Sequence, residues 1–527
     1  MRSLTLLLLL LSLSAFSQNL RSGGKLKPEQ AIMDIQHYTI DLDVDPDKKY
    51  IKGSTVIDFL LTQPTSVLLF DFWHGLTVKK VIINGKENTF SHGEDDLIRI
   101  NKELPKGKVA VKIEYEGTPG IATRPPWTGG FQWDKDSNGN HWVALTCQAE
   151  GGKIFFPCKD HPSDEPDEGA DLILTVPKGL VAAGPGMMIK QSGSKNKTTF
   201  HWKTKYPISN YCLVFNIGKY KKVSRNYTTV LGTNVPMDFY VLEEHESLAL
   251  HELDLMAEAC RILEKYYGEY PWAKEKIGLC ETPHLGMEHQ SLIAYGNKFR
   301  YTKDGNEDFD WLLVHEVGHE WWANKVTNSD WAHMWIQEGI CSFSDALHLR
   351  EVGGDKEYQQ WMQRTARNVQ NKLPIVQGDE IDSDQTYHGD IYGKAAFFMH
   401  TLRYIMGDEI FFSTLKKLAT DPKYTYIHTV TTEDVQKLFS EAAGRDLKPL
   451  FDLFLRTTSK LEISLRQTDV NKYSIQLLNL DFEIPIEVQT SSGKEKITLS
   501  KTPVMVNSLS FPLLDPDIYY LKKIIAE

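Results

Sequence analysis

The sequence predicts a multidomain α+β protein with an N-terminal antiparallel β saddle or sandwich, a mainly helical middle and a small C-terminal β-sandwich. Three observations predict it. The chain has 527 residues, more than one hydrophobic core usually serves. Apolar residues alternate with period two near both ends, and they recur at helical spacing between. We place the domain boundaries at 18–228, 229–455 and 456–527.

The N-terminal part is predicted to be strand-rich. His37–Val44 alternates apolar and polar residues, as a half-buried strand does. Val81–Ile83 is followed by Asn84-Gly85, the dipeptide typical of a tight hairpin turn. Several such segments, separated by Gly, Pro and Asn, favour an antiparallel sandwich or a saddle-shaped sheet.

The pattern changes near residue 246. Apolar residues follow helical spacing from Ser247 to Tyr267, and Gly268 is a plausible helix end. Helical segments dominate to about residue 455. From Leu461 onward alternation returns, which predicts a small β domain in the last 70 residues or so.

Composition and charge exclude some function classes. The chain is 41% hydrophobic and 24% charged, as in an ordinary globular protein. Its formal charge of −11 disfavours nucleic acid as a partner, because phosphate binding needs a basic face. The charge also disfavours anionic membranes.

The first 17 residues resemble a secretory signal peptide. Arg2 precedes an apolar run, and small residues stand before Gln18. A short membrane anchor is the alternative, although the run is shorter than the roughly 20 residues that span a bilayer. We expect cleavage after Ser17, no stable membrane insertion, and export to the periplasm or the extracellular space.

The cysteines indicate no disulfide framework, since there are only six and no CxxC motif. In an exported protein Cys147 and Cys158 are one candidate pair. Buried free thiols are the other interpretation.

The central motif is His315-Glu316-x-x-His319. On a helix, residues four apart share one face, so both imidazoles point at one spot and can share a zinc ion. Glu316 projects beside them, where it can act as general base toward a water at the metal.

A third zinc ligand is predicted at Glu338, which follows His319 after 18 residues. That separation suits a neighbouring helix. Three protein ligands with an open fourth position define a catalytic zinc site rather than a structural one. We therefore expect one Zn2+ per chain.

This spacing resembles that of the gluzincin aminopeptidases of peptidase family M1. A second match is Leu285–His289, which is similar to the family's Gly-x-Met-Glu-Asn segment. The resemblance implies that Gly286 and Met287 line the substrate and that Glu288 captures its free α-amine. Leu285 and His289 depart from the pattern, which leaves substrate preference open.

Two further segments extend the resemblance. Segment 390–396 is similar to the family's Tyr-x-Lys-Gly-Ala segment, which implies that Tyr392 stabilises the oxyanion, with Tyr387 as the alternative. Segment 146–163 resembles an N-domain element that helps to hold the amine, here through Gln148 with Glu150 behind it.

The leukotriene hydrolase/aminopeptidase branch of the family is nearest in pattern. Its resemblance implies that Asp384 and Tyr387 line the pocket, where Asp384 would favour basic side chains. Asp345 falls where the family often has an acid that orients a ligand.

The resemblance also implies a saddle-shaped β domain, a thermolysin-like catalytic domain and a β-sandwich. The sequence stops at Glu527, without the helical C-terminal domain of many members, so we expect a more open cleft. We expect a monomeric zinc aminopeptidase acting on peptides with a free N-terminus. The alternatives are an inactive peptide-binding relative and an epoxide hydrolase with peptidase activity.

Overall fold

The computed structural model describes residues 21–304 and 307–526. The predicted signal peptide at 1–17 lies outside these residues, so export stays a prediction, as does the monomeric state. Within the described ranges, no helix has the length and apolar character that crossing a membrane requires. The predicted fold class is confirmed, because a β-rich part, a helical part and a second β part follow one another.

The first part is built from strands that form three sheets. Its helix and strands are α1 (Pro28–Ala31), β1 (Met33–Asp45), β2 (Tyr50–Leu61), β3 (Thr65–Asp71), β4 (Thr77–Ile83), β5 (Lys86–Asn88), β6 (Ser91–His92), β7 (Leu97–Leu104), β8 (Gly107–Gly117), β9 (Gly130–Lys135), β10 (His141–Thr146), β11 (Ala170–Pro177), β12 (Val181–Ala183), β13 (Met187–Gly193), β14 (Lys197–Lys203) and β15 (Asn216–Gly218). The sheets have the strand orders β13-β14-β11-β1-β2-β8-β4-β5, β12-β15-β10-β9 and β3-β7-β6. The predicted hairpin at Asn84-Gly85 is confirmed, since Ile83 pairs with Lys86 and both turn residues have positive φ.

The second part combines a five-stranded sheet with helices. Its elements are β16 (Tyr220–Thr228), β17 (Asn234–Leu242), α2 (Ala249–Tyr267), β18 (Ile277–Glu281), β19 (Gly286–Met287), β20 (Ile293–Tyr295), β21 (Thr302–Asp304), β22 (Glu307–Phe309), α3 (Trp311–Gly318), α4 (Trp335–Asn368), α5 (Ser383–Thr386), α6 (Gly393–Met406), α7 (Asp408–Thr420), α8 (Thr432–Ala443) and α9 (Lys448–Leu455). Short 3-10 helices lie in both the first and the second part, at Gly152–Ile154, Asn210–Cys212, Glu243–Leu248, Trp331–His333, Gly389–Ile391 and Pro422–Tyr424.

Two predictions for this part can be compared with the structure. The helix predicted to end before Gly268 is confirmed as α2, and Gly268 has a φ of 85°, which favours glycine. The predicted boundary at residue 228 falls within a hairpin, because β16 pairs along its length with β17. The sheet order is β16-β17-β18-β20-β19, which leaves β19 at the edge.

The C-terminal part is a small β domain, as predicted. Its strands are β23 (Leu461–Asp469), β24 (Lys472–Leu477), β25 (Ile484–Thr490), β26 (Gly493–Leu499), β27 (Val504–Asn507), β28 (Leu513–Leu514) and β29 (Lys522–Ala526). They form sheets of order β27-β24-β23-β29 and β26-β25-β28. Alternate residues of β23 and β25 are buried, which explains the period-two pattern.

All six cysteines are buried free thiols. Of the two interpretations of Cys147 and Cys158, the structure shows the unpaired one.

Candidate active site

The helix that carries the histidine motif begins at a well-satisfied cap. The Asp310 carboxylate accepts hydrogen bonds from the backbone N–H groups of Leu312 and Leu313, at 3.0 and 3.1 Å. The same carboxylate accepts from the Tyr295 hydroxyl at 2.7 Å and the Asn297 amide at 2.8 Å. These bonds satisfy the first N–H groups of α3 and fix its start against the sheet.

Three donor atoms converge where the sequence predicts the zinc ion. Nε2 of His315 lies 3.2 Å from Nε2 of His319. Oε2 of Glu338, in the first turn of α4, lies 3.8 Å from the first and 3.3 Å from the second. Ligands about 2.0–2.1 Å from a tetrahedral zinc ion are about 3.3 Å apart, so the three residues fit that ion.

The other nitrogen of each imidazole is held by an acceptor. Nδ1 of His319 lies 2.8 Å from the backbone oxygen of Trp322, and Nδ1 of His315 lies 3.3 Å from Oδ2 of Asp345. These contacts place the ring protons on Nδ1 and leave Nε2 free to bind a metal. The predicted role of Asp345 matches this contact. The Trp322 carbonyl has no sequence signal, because every residue carries one.

One donor atom each of Cys341, His315 and His319 lie within 4.8 Å of one another, but the Cys341 sulfur contacts His315 on its Nδ1 edge. Its thiol donates to the backbone oxygen of His315 at 2.9 Å, and its sulfur is 3.8 Å from Nδ1 of that residue. The converging Nε2 atoms are on the opposite edge of the rings. Cys341 therefore packs behind the metal site.

The electrostatics also favour a cation among the three ligands. Burial by itself raises the pKa of Glu338, but the neighbouring imidazoles of His319 and His315 hold that pKa well below its usual range. Oε2 of Glu338 is buried and has no hydrogen-bond partner among the described residues. A buried anionic oxygen of this kind is stabilised by a bound metal ion.

Glu316 lies beside this position and has little else to bind. Its side chain is buried, Oε2 has no hydrogen-bond partner in the described parts of the chain, and burial raises its pKa. Gly286 makes room for it, because a Cβ at Gly286 would lie 2.6 Å from Oε1 of Glu316. This close approach explains a glycine at the start of the edge strand β19.

Glu288 is held by residues from the N-terminal part. Its Oε1 accepts from Nε2 of Gln148 at 2.5 Å and from the Tyr211 hydroxyl at 2.9 Å. One donor atom each from Glu288, Glu316 and His319 lie within 4.8 Å of one another. Tyr211 was not predicted, because a single tyrosine near a short 3-10 helix has no distinguishing pattern.

Two tyrosines complete the cleft opposite the edge strand. The hydroxyls of Tyr387 and Tyr392 are 2.5 Å apart, and both side chains line the same pocket as the three ligands. Tyr392 immediately precedes α6. A Cβ on Gly339 would lie 2.3 Å from Cβ of Ala395, so the glycine after Glu338 lets α4 and α6 approach closely. That approach brings Tyr392 to the metal position.

The pocket contains almost all the predicted site residues. These are Gln148, Gly286, Met287, Glu288, His315, Glu316, His319, Glu338, Tyr387 and Tyr392. Asp384 is not one of its lining residues. Its carboxylate lies 3.2 Å from Nε of Arg21, and its side chain is 47% exposed. The structure thus places Asp384 in a surface ion pair instead of the predicted pocket wall.

The fold, and the convergence of two histidines and one glutamate that could hold a zinc ion, are those of the class of zinc metallopeptidases. The family model for the "Peptidase family M1 domain" matches residues 251–454, and the model for the "Peptidase M1 N-terminal domain" matches residues 35–212. Together these ranges cover most of the chain, which belongs to peptidase family M1.

Curated relatives agree with this assignment. The chain is 24% identical over 438 residues to leukotriene A-4 hydrolase of Xenopus laevis, covering 76% of this chain and 67% of that protein. It is 22% identical over 435 residues to aminopeptidase M1-B of Oryza sativa, covering 78% and 48%. It is 21% identical over 485 residues to leucyl aminopeptidase of Saccharolobus solfataricus, covering 87% and 59%. The chain thus spans about half to two thirds of the length of these relatives.

Solved structures share the fold. A crystal structure of a mutant M1 zinc metallopeptidase from Deinococcus radiodurans, bound to a Tyr-Ser-Ala substrate, superposes with a TM-score of 0.68. Sequence identity is 22%, and the match covers 82% of this chain and 95% of that one.

Proposed function

We propose that this protein is a zinc aminopeptidase that removes the first residue from peptides with a free N-terminus. One observation carries the proposal: the buried Glu288 carboxylate lies next to Glu316 and His319. A carboxylate at a fixed distance from the metal pairs with a terminal ammonium and so positions the first peptide bond for cleavage. The aminopeptidases among the relatives support the same reading.

The residues divide the chemistry between them. His315, His319 and Glu338 would hold a zinc ion, which when bound lowers the pKa of water and polarises a carbonyl. Glu316 takes the proton from the attacking water and passes it to the leaving amine. Its Oε2 has no hydrogen-bond partner among residues 21–304 and 307–526, which suits both transfers.

Tyr392 is proposed to stabilise the negative charge that develops on the carbonyl oxygen. Its hydroxyl lies in the pocket 2.5 Å from that of Tyr387. When Tyr392 donates to the substrate, Tyr387 can donate to Tyr392 and keep its hydroxyl oriented. This division makes Tyr392 the catalytic residue and Tyr387 its positioning residue.

Replacing Glu288 tests the amine anchor. Glu288→Ala removes the carboxylate that faces the ammonium, so KM for free tripeptides should rise by roughly tenfold to a hundredfold. Steady-state kinetics on Leu-Ala-Ala, with its N-acetylated form as the control, measures this. The wild-type protein should not cleave the acetylated peptide, and equal cleavage of both peptides contradicts the exopeptidase assignment.

Replacing each tyrosine separates their roles. Tyr392→Phe should lower kcat roughly a hundredfold or more with little change in KM, because it removes a donor used only in the transition state. Tyr387→Phe is the matched control, and its kcat should fall far less. A larger loss in Tyr387→Phe would exchange the two assignments.

A further inference from the structure

Three apolar side chains line the cleft and take no part in the proposed chemistry. They are Trp127, Leu285 and Trp311, and we call them the apolar wall. The tryptophans are 45% and 39% exposed, which is unusual for the largest apolar side chain. Exposed aromatic residues within a concave site are typical of ligand contacts.

Trp127 is held rigidly at the tip of a loop. Arg124 and Thr128 exchange two backbone hydrogen bonds, at 3.2 and 2.9 Å, which close the loop around the tryptophan. The N–H of Gly129 donates to Oε1 of Glu150 at 2.7 Å. A Cβ on Gly129 would lie 2.4 Å from the Thr146 oxygen, so the loop packs closely against its neighbours. These contacts fix the backbone that carries Trp127, and the Arg124 guanidinium lies 5.8 Å from the centre of its ring.

Trp311 is equally fixed, because it is the first residue of α3 after the Asp310 cap. It stands one helical turn before His315, on the same face. Leu285 directly precedes the edge strand β19 and takes the place of the family's glycine. The wall thus combines the N-terminal loop, the metal helix and the edge strand.

The direction of the bound peptide places the apolar wall beside its second residue. The amine anchor Glu288 lies near His319, at the C-terminal end of α3. Trp311 is eight residues earlier, about 12 Å along the helix at about 1.5 Å per residue. Leu285 is likewise three residues, or about 10 Å, back along the strand from Glu288. Both elements put Trp311 and Leu285 on the far side of the metal from the amine, and Trp127 lines the same pocket.

We infer that the apolar wall selects peptides whose second residue, the one after the cleaved bond, is large and apolar. The inference rests on the proposed aminopeptidase function. None of the wall residues is charged, so an aspartate as second residue would lose its hydration without gaining a charged partner among them, and a lysine would gain only the faces of the tryptophan rings. Aromatic and branched aliphatic side chains would instead be covered on several sides.

The peptide series Ala-X-Ala tests the inference, with X as Phe, Leu, Ala, Lys or Asp. In the wild-type protein kcat/KM should be at least about tenfold higher for Phe and Leu than for Ala, Lys and Asp. Trp127→Ala and Trp311→Ala should each lower the Phe-to-Ala ratio severalfold. Phe511→Ala, a matched control 56% exposed in the C-terminal β domain, should keep the wild-type ratio. A companion series X-Ala-Ala should keep its order in all variants, because it varies the first residue.

Binding provides a readout that is independent of turnover. In a Glu316→Gln background, calorimetry with Ala-Phe-Ala and Ala-Ala-Ala should show the same preference, and Trp311→Ala should remove it. Trp311→Phe should retain most of it, which separates lost contact from lost folding. Equal rates across the Ala-X-Ala series, or an unchanged ratio in both tryptophan variants, would overturn the inference alone. Failure to cleave any free tripeptide would overturn the aminopeptidase proposal and this inference with it.

Discussion

Glu316→Gln is expected to abolish peptide hydrolysis while leaving the metal in place. General-base catalysis contributes roughly a hundredfold to ten-thousandfold. The other two carboxylates that line the cleft in the described part of the chain are engaged elsewhere. Glu288 is engaged by Gln148 and Tyr211, and Glu338 faces the histidines. The variant keeps the shape of the side chain and removes only its ability to accept a proton.

Three measurements decide the result. Zinc content by elemental analysis should stay at one ion per chain, and the free tripeptide should still bind. Turnover should fall by roughly a thousandfold or more. Activity within tenfold of wild type would mean that another group accepts the proton, and the role of Glu316 would have to be abandoned.

His319→Ala is expected to remove zinc and activity together. Two ligands in place of three hold zinc far less tightly, since binding requires the full converging set. The histidine also accounts for the short contacts that define the site, at 3.2 Å to His315 and 3.3 Å to Glu338. Elemental analysis after dialysis should find well under one zinc per chain, and the wild-type protein should lose activity to a chelator and regain it with zinc.

Cys341→Ala is the matched control for that experiment. Its thiol is as near to His315 as a ligand would be, but it lies on the Nδ1 side. The variant should therefore keep its zinc and most of its activity. Zinc loss in Cys341→Ala with zinc retained in His319→Ala would relocate the metal to the other edge of the ring.

Most of the proposed metal site can be predicted from the sequence, for a physical reason. His315, Glu316 and His319 are four or fewer residues apart on one helix, so helical geometry alone brings them together. Glu338 was predicted from its separation of 18 intervening residues from His319, which suits a neighbouring helix. Local patterns also predict α2 and the Asn84-Gly85 hairpin, because each depends on residues that are neighbours in sequence.

Residues that meet only through tertiary packing were harder to predict. Tyr211 and Gln148 both donate hydrogen bonds to Glu288, although they lie 77 and 140 residues from it in the sequence. Gln148 was found through resemblance and Tyr211 was not. Asp384 shows the opposite error, since the resemblance implies a pocket position and the structure pairs it with Arg21. Trp127 gave no signal because a tryptophan in a loop has no periodicity to interpret.

The proposed amine anchor is built from residues of two parts of the chain, and this has an evolutionary consequence. The carboxylate that we propose as the anchor of the peptide amine belongs to one part of the chain, and the two groups that donate hydrogen bonds to it belong to another. Substitutions where those parts meet can therefore change which peptides are accepted without touching a metal ligand. Descendants of such a protein can therefore keep the same hydrolytic chemistry and still differ in the peptides that they cleave.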